Sequence, residues 1–292
     1  MKWSAAIVVI YFIGCASSFT EAVAQDIYAG RYNAIITSPP KMVPTTKTPD
    51  GALAGNGDIG LVLGGNPDQL TFYIGKNDFW RAYPVYPGGG IAHPGGLTVF
   101  IKDLKDGSYY AEQAIDKALI RGKFDKNNLS ITFNAWVAAT RNMMVTEFTA
   151  NKPCQINLRL WSRQGNTSVN DSGFQQGVYW VTRSFENTPL LEWPCHIAMA
   201  MKVLGAVISN DQSINLSPGK RVIIVLIIYT SFDKKDWKES SIKEAGLLTE
   251  DIVENIRLQH DQSRQFCGTS PCDDTIEPDC RGFGIGLQIN WG

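Results

Sequence analysis

The stretch from Gly55 to Trp80 reads GNGDIGLVLGGNPDQLTFYIGKNDFW. Gly55, Gly57 and Gly60 spell G-x-G-x-x-G, the spacing of a turn that cradles a dinucleotide pyrophosphate. Asp78 follows at nearly the distance of a ribose-binding acid. That chemistry needs a strand before the first glycine and a helix after the last. Here the preceding KTPDGALA is turn-like, and Gly64, Gly65 and Pro67 forbid a helix of useful length. The gap before TFYIG is also too short for a crossover helix. The expected element is a hairpin, DIGLVLG and QLTFYIG joined by GNPD, and no cofactor is expected.

Other chemistry is weighed the same way. Glycoside hydrolysis needs two carboxyl groups at a set separation, one protonated and one ionised. Asp58 and Asp78 flank the hairpin and are the first candidate pair. The structural alternative has Asp58 capping a turn and Asp78 binding nearby backbone amides. His93, His196 and His260 stand in no metal-ligand spacing, and no metal is expected. Cys195 and His196 are adjacent, but neighbours on a strand point to opposite faces and make poor catalytic partners. A nucleophile elbow is missing. Trp80, Tyr83 and Tyr86 occupy a loop-like run, FWRAYPVYPGGGIAHPGG. They are candidate sugar-stacking residues. Alternatively, Trp80 packs into the core while the tyrosines pin the loop.

The elements that position these residues are strands. LSITFNAWV sets Leu129, Ile131, Phe133 and Ala135 on one face against Ser130, Thr132, Asn134 and Trp136 on the other, the period of a half-buried strand. Similar short runs recur to Thr230, separated by turn signals such as GGNPD, DGS and SPGK. VIIVLIIY, from Val222 to Tyr229, has strand length and β-branched content. After Thr230 the pattern turns helical. Thr249 is a candidate N-cap, Glu250 and Asp251 sit in the first turn, and Ile252, Ile256 and His260 stand four apart. The expected fold is all-β, a two-sheet antiparallel super-sandwich with a short C-terminal helical linker and an irregular tail. The expected divisions are a signal peptide over 1–24, the sandwich over 25–232, the linker over 233–266 and a cysteine-containing tail over 267–292.

Composition narrows the partners. The 292 residues are 44% hydrophobic and 19% charged, with Lys plus Arg at 27 against Asp plus Glu at 28. That balance argues against nucleic-acid binding. Lys2, the apolar AAIVVIYFIG and the A-x-A site at Ala22 and Ala24 read as a secretory signal, with no membrane span after its removal. Secretion is therefore expected, or a periplasmic or lipid-anchored location (through Cys15) in a bacterium. In an oxidising compartment Cys154, Cys195, Cys267, Cys272 and Cys280 are disulfide candidates, an odd number. Asn128, Asn166, Asn170 and Asn215 begin glycosylation sequons.

The Gly55–Trp80 segment resembles the opening of the N-terminal super-sandwich domain of glycoside hydrolase family 95, the α-L-fucosidase-like enzymes. The G-N-G-x-x-G turn (Gly55, Asn56, Gly57, Gly60), the Gly64–Gly65 turn and the closing Asn77, Asp78 and Trp80 carry the resemblance. SYYAEQAIDKALIRGKF, LSITFNAWVAATRNMMVTEFTA and TEDIVENIRLQHDQ extend it over roughly residues 45 to 265. The resemblance implies that acid and base lie in an (α/α)6 barrel after the linker helix. No position here matches those motifs, so no catalytic residue is carried over. The sequence departs from the family at SRQFCGTSPC, as a truncated gene model, a frameshift or an alternative terminal exon would produce. Three readings remain open: a secreted, non-catalytic sandwich module of a fucosidase-like hydrolase, a stand-alone extracellular glycan-binding or matrix protein, and a hydrolase whose carboxylates lie in the sandwich itself. All three take glycans or oligosaccharides as partners.

Overall fold

The computed structural model describes residues 32–44, 48–81, 90–165, 167–186, 191–209 and 212–267. The signal segment, Tyr83, Tyr86, Asn166, Cys272, Cys280 and the expected irregular tail after Cys267 lie outside the described residues. The chain runs through β1 (Ala34–Ile36), β2 (Leu53–Gly55), β3 (Ile59–Asn66), β4 (Gln69–Lys76), β5 (Trp80–Arg81), β6 (Gly90–Ile91), β7 (Gly95–Phe100), β8 (Ser108–Ala114) and β9 (Leu119–Lys126). It continues with β10 (Leu129–Val137), β11 (Met143–Ala150), β12 (Cys154–Ser162), β13 (Val169–Gln175), β14 (Val178–Phe185), β15 (Cys195–Leu204), β16 (Ser213–Leu216) and β17 (Arg221–Thr230). Two helices follow, α1 (Trp237–Leu247) and α2 (Glu250–Cys267).

One sheet has nine strands in the order β1-β8-β9-β10-β11-β17-β15-β14-β13, and a second has six in the order β16-β12-β7-β4-β3-β2. All pairings between these strands are antiparallel. The fold is therefore the expected all-β sandwich. The hairpin is also as expected: β3 and β4 pair from Ile59–Lys76 to Asn66–Gln69, turning at Pro67 and Asp68. Gly55 pairs with Gly60 across a second turn, where Gly57 takes φ +88°, a conformation glycine adopts without strain.

The core lies between the sheets. Leu129, Ile131, Phe133 and Ala135 of β10 face it together with Leu61, Leu63, Leu70, Phe72 and Ile74 of the hairpin. Phe133 stands edge-on to Phe72 at 5.8 Å and stacks on Phe124 at 5.5 Å. The outer face of the nine-stranded sheet forms a second core under the helices. Trp136 is fully buried there, so the C-terminal end of β10 is covered on both faces, while Thr132 on the same outer face stays exposed. The unbroken apolar run of β17 has the same cause. Val222, Ile224, Leu226 and Ile228 point to the inner core, and Ile223, Val225, Ile227 and Tyr229 to the outer one.

Thr249 caps α2 as its sequence suggests: its Oγ1 accepts from the Ile252 amide at 3.3 Å. The buried stripe of α2 differs from the expected one. Val253, Ile256 and His260 are buried, whereas Ile252 is 38% exposed. A mixed spacing of three and four follows the 3.6-residue period better than a strict spacing of four.

Candidate functional site

β4 alternates Leu70, Phe72 and Ile74 into the core, and Lys76 continues the same face. Its side chain is wholly buried and its ammonium emerges at the rim of the sandwich, where three carboxylates meet it. Asp58 binds with both oxygens, at 2.7 and 2.8 Å. Asp78 Oδ1 lies at 2.9 Å and Asp233 Oδ2 at 3.2 Å. The sequence pair Asp58 and Asp78 is thus brought together, around a lysine and a third acid that sequence reasoning did not single out.

Asp78 and Asp233 each have a further tie. The Thr230 hydroxyl donates to Asp78 Oδ2 at 2.6 Å. Asp233 accepts from the Thr230 amide at 2.8 Å and from Asn142 Nδ2 at 2.9 Å. Asn56, rather than Asp58, caps the turn: its Oδ1 accepts from the amides of Asp58 and Ile59 at 3.0 and 2.8 Å. Asn56 Nδ2 then reaches the Ala138 carbonyl at 2.9 Å, stitching the hairpin to the larger sheet. Asp78 is held by side chains, not by the backbone amides of the structural alternative.

Burial pushes the Asp58 carboxyl above its ordinary value, although Lys76 pulls it down. Burial likewise works against charge on Lys76, but its hydrogen bonds to Asp58 and Asp78 outweigh it and hold the ammonium above the ordinary lysine value. The Asp58 shift thus opposes the ion pair and the Lys76 shift favours it. Two short bonds to a fully buried ammonium decide for the charged pair. The cluster carries three potential negative charges against one positive. Its position, joining the hairpin to the segment that leads into α1, makes it a clamp on the chain's exit from the sandwich.

Trp80 does not enter the core. It is 42% exposed, and its Nε1 donates to the Asn77 carbonyl at 2.6 Å. Phe79 is buried in its place, stacked on Phe185 at 5.4 Å. Cys195 and His196 point apart as a strand requires. Cys195 is buried in the inner core, and His196 stacks on Trp237 at 5.5 Å. Cys154 and Cys195 correct the disulfide expectation. Both are free, buried thiols on different strands, pushed up by burial to about 11 and about 12 respectively. Such thiols stay protonated and unreactive. Cys267 is the last residue of α2. No group of three or more His, Cys, Asp or Glu among the described residues could hold a metal ion.

Of the sequon asparagines, Asn128 is exposed at the β9–β10 turn and Asn215 is exposed on β16. Asn170 differs. Its Nδ2 donates to Ser162 Oγ at 2.7 Å and to the Arg163 carbonyl at 3.0 Å.

A concavity opens where β12 passes the β13–β14 hairpin. This cavity, of about 520 Å3, is lined by residues including Arg159, Trp161, Arg163, Asn170, Asp171 and Val181. Trp161 stacks on His93 at 5.7 Å and meets Tyr73 edge-on at 5.9 Å. Its Nε1 donates to Thr98 Oγ1 at 3.1 Å. Its strand partner is Gly96, where an added Cβ would come 3.0 Å from the indole. The glycine pair Gly95–Gly96 opposite an aromatic strand residue is the one sequence signal that could have pointed here.

No family model and no curated protein matches the chain. Among solved structures it is similar to one described as "Putative kojibiose phosphorylase from human microbiome", with a TM-score of 0.44 and 10% identity. The match covers 80% of this chain and 42% of that one, so this chain spans less than half of the structure it matches. No helix among the described residues is long and apolar enough to cross a membrane.

Proposed function

We propose that this chain is a secreted, carbohydrate-associated sandwich module of the fucosidase-like type, which supports a catalytic barrel and carries no catalytic pair of its own. The observation that carries the reading is the engagement of Asp58 and Asp78. Both are bound to the buried Lys76, and through Asp233 and Thr230 they are tied to the segment entering α1. A general acid must deliver a proton and a nucleophile or base must present a free lone pair. Carboxylates committed to one ammonium are better suited to fixing geometry. The Gly55–Trp80 segment that carries the family resemblance also supplies Asp58, Lys76 and Asp78 of this clamp, which fits a supporting domain holding its neighbour at a set angle.

The carbohydrate part of the reading is tested with the purified full chain on a glycan array of neutral and acidic saccharides. Retention of at least one saccharide class is expected. Absence of binding to every saccharide would remove the association.

A further inference from the structure

β14 sets Val181, Arg183 and Phe185 on one face. Val181 and Phe185 belong to the core between the sheets, so an arginine occupies a core position between them, 6% exposed. Its Nη1 donates to the backbone carbonyl of His93, and its guanidinium lies over the Phe185 ring at 4.9 Å. Among the described residues no carboxylate forms an ion pair with it. Its Nε is buried with no hydrogen-bond acceptor. A buried charge without a counter-charge is strongly destabilising, and proteins seldom keep one unless something completes it.

Its surroundings add positive charge. Burial first, then the charges of Arg163 and Arg81, lower the Arg183 guanidinium to about 10. An added Cβ on Gly165 would lie 3.2 Å from Arg183 Nη2, so the guanidinium rests against the segment in which Arg163 and Gln164 edge the cavity. Asn170, its cross-strand partner, lines the same cavity. The cavity's own carboxylate, Asp171, is taken by Lys238 at 3.4 Å. Arg159, Arg163 and Trp161 complete a wall of cations beside one aromatic ring.

We propose that this cavity is a subsite for an acidic saccharide, with Arg159 and Arg163 of its lining holding the carboxylate or sulfate group, the buried Arg183 adding positive charge from behind them, and Trp161 carrying the sugar ring. The geometry suits both parts. A guanidinium presents paired donors that match a planar or tetrahedral oxyanion. An indole edge and face offer the flat apolar surface a pyranose ring needs. This inference rests on the carbohydrate reading above, and its test separates the two.

The experiment is titration calorimetry of the full chain with four probes: a sulfated oligosaccharide, an oligogalacturonate, a neutral oligosaccharide of the same length and sodium sulfate. At least one acidic saccharide is expected to bind, more weakly as sodium chloride is raised. Arg163→Gln is expected to weaken that binding by about tenfold or more. Arg183→Met, which places an apolar chain at a core position and removes the positive charge behind the cavity, is expected to fold and to weaken the binding. Binding of neutral saccharide alone would overturn the inference and leave the carbohydrate association standing. Binding of sulfate alone would overturn the assignment to a saccharide. Acidic-saccharide binding that survives both substitutions would place the site elsewhere.

Discussion

Replacing Lys76 by Met keeps most of the apolar stem and removes only the ammonium. Asp58, Asp78 and Asp233 approach that nitrogen at 2.7, 2.9 and 3.2 Å, so without it three carboxylates face one another across a small space. Two like charges about 5 Å apart repel by roughly 3 kcal/mol at an effective dielectric of about 20. The carboxylates are partly open to water, 37%, 30% and 18% exposed, which screens part of that repulsion. Removing one partner of a buried ion pair costs about 3–5 kcal/mol, and the exposure places the expected loss near the lower end, about 3 kcal/mol. Urea unfolding followed by tryptophan fluorescence near pH 7 measures it, provided the m-value is unchanged. The variant should also recover relative to wild type as the pH falls toward about 4, because protonation relieves the repulsion. Adding Asp58→Asn and Asp78→Asn should restore more than half of the loss. A loss below about 1 kcal/mol, or a gap that stays constant on acidification, would refute the clamp.

His93 is buried beside Arg163 and Arg183, and burial first, then their charges, lower it to about 3. Its native value lies below its unfolded value near 6.5, so its contribution is complete above about pH 6.5 and is lost on acidification from there toward about pH 3. His93→Gln should flatten the stability profile in that window, as thermal unfolding across it will measure. Glu112 is buried, and its bidentate pairing with Arg121, both bonds at 2.8 Å, holds its carboxyl below the ordinary value. Arg121→Met should destabilise the fold near neutral pH by about 1–3 kcal/mol, with the difference shrinking below about pH 4. A Cβ on Gly122 would fall 2.2 Å from the Phe133 ring. Gly122→Ala should therefore cost about 1–3 kcal/mol in denaturant titration, against the near-neutral effect expected if Phe133 could swing away. Expressed in a glycosylating host, the chain should carry no glycan on Asn170, whose amide is committed to Ser162 and Arg163, while Asn128 and Asn215 remain open to it. Peptide mapping by mass spectrometry distinguishes the sites.

The sheets were legible because burial imprints itself on strand sequences at period two, and β17 could be read from an apolar run that only double coverage permits. The hairpin was legible because Gly64, Gly65 and Pro67 leave no room for a helix, although Gly64 and Gly65 lie within β3 and the turn falls at Pro67 and Asp68. The clamp was only half visible. Asp58 and Asp78 drew notice as carboxylates, but Lys76 reads as an ordinary surface lysine until its alternation with Leu70, Phe72 and Ile74 is followed. Asp233 lies 157 residues from Lys76, a separation that no local pattern bridges. Which of Phe79 and Trp80 enters the core was not legible, since adjacent aromatics at a strand start give no sign of which one turns inward; Phe79 does, and Trp80 stays exposed. Arg183 was hidden for the same reason as Lys76: a charged residue on a core face breaks the pattern by which core faces are recognised.

The central claim is that the rim carboxylates hold structure and do not break glycosidic bonds. The most direct test is to incubate the purified full chain with a panel of chromogenic aryl glycosides, α-L-fucoside among them, alongside Asp58→Asn and Asp78→Asn. The account predicts no release of aglycone above buffer from any of the three proteins, together with lower unfolding midpoints for the two variants. Turnover by the wild type that disappears in either variant would contradict it and make the sandwich rim an active site.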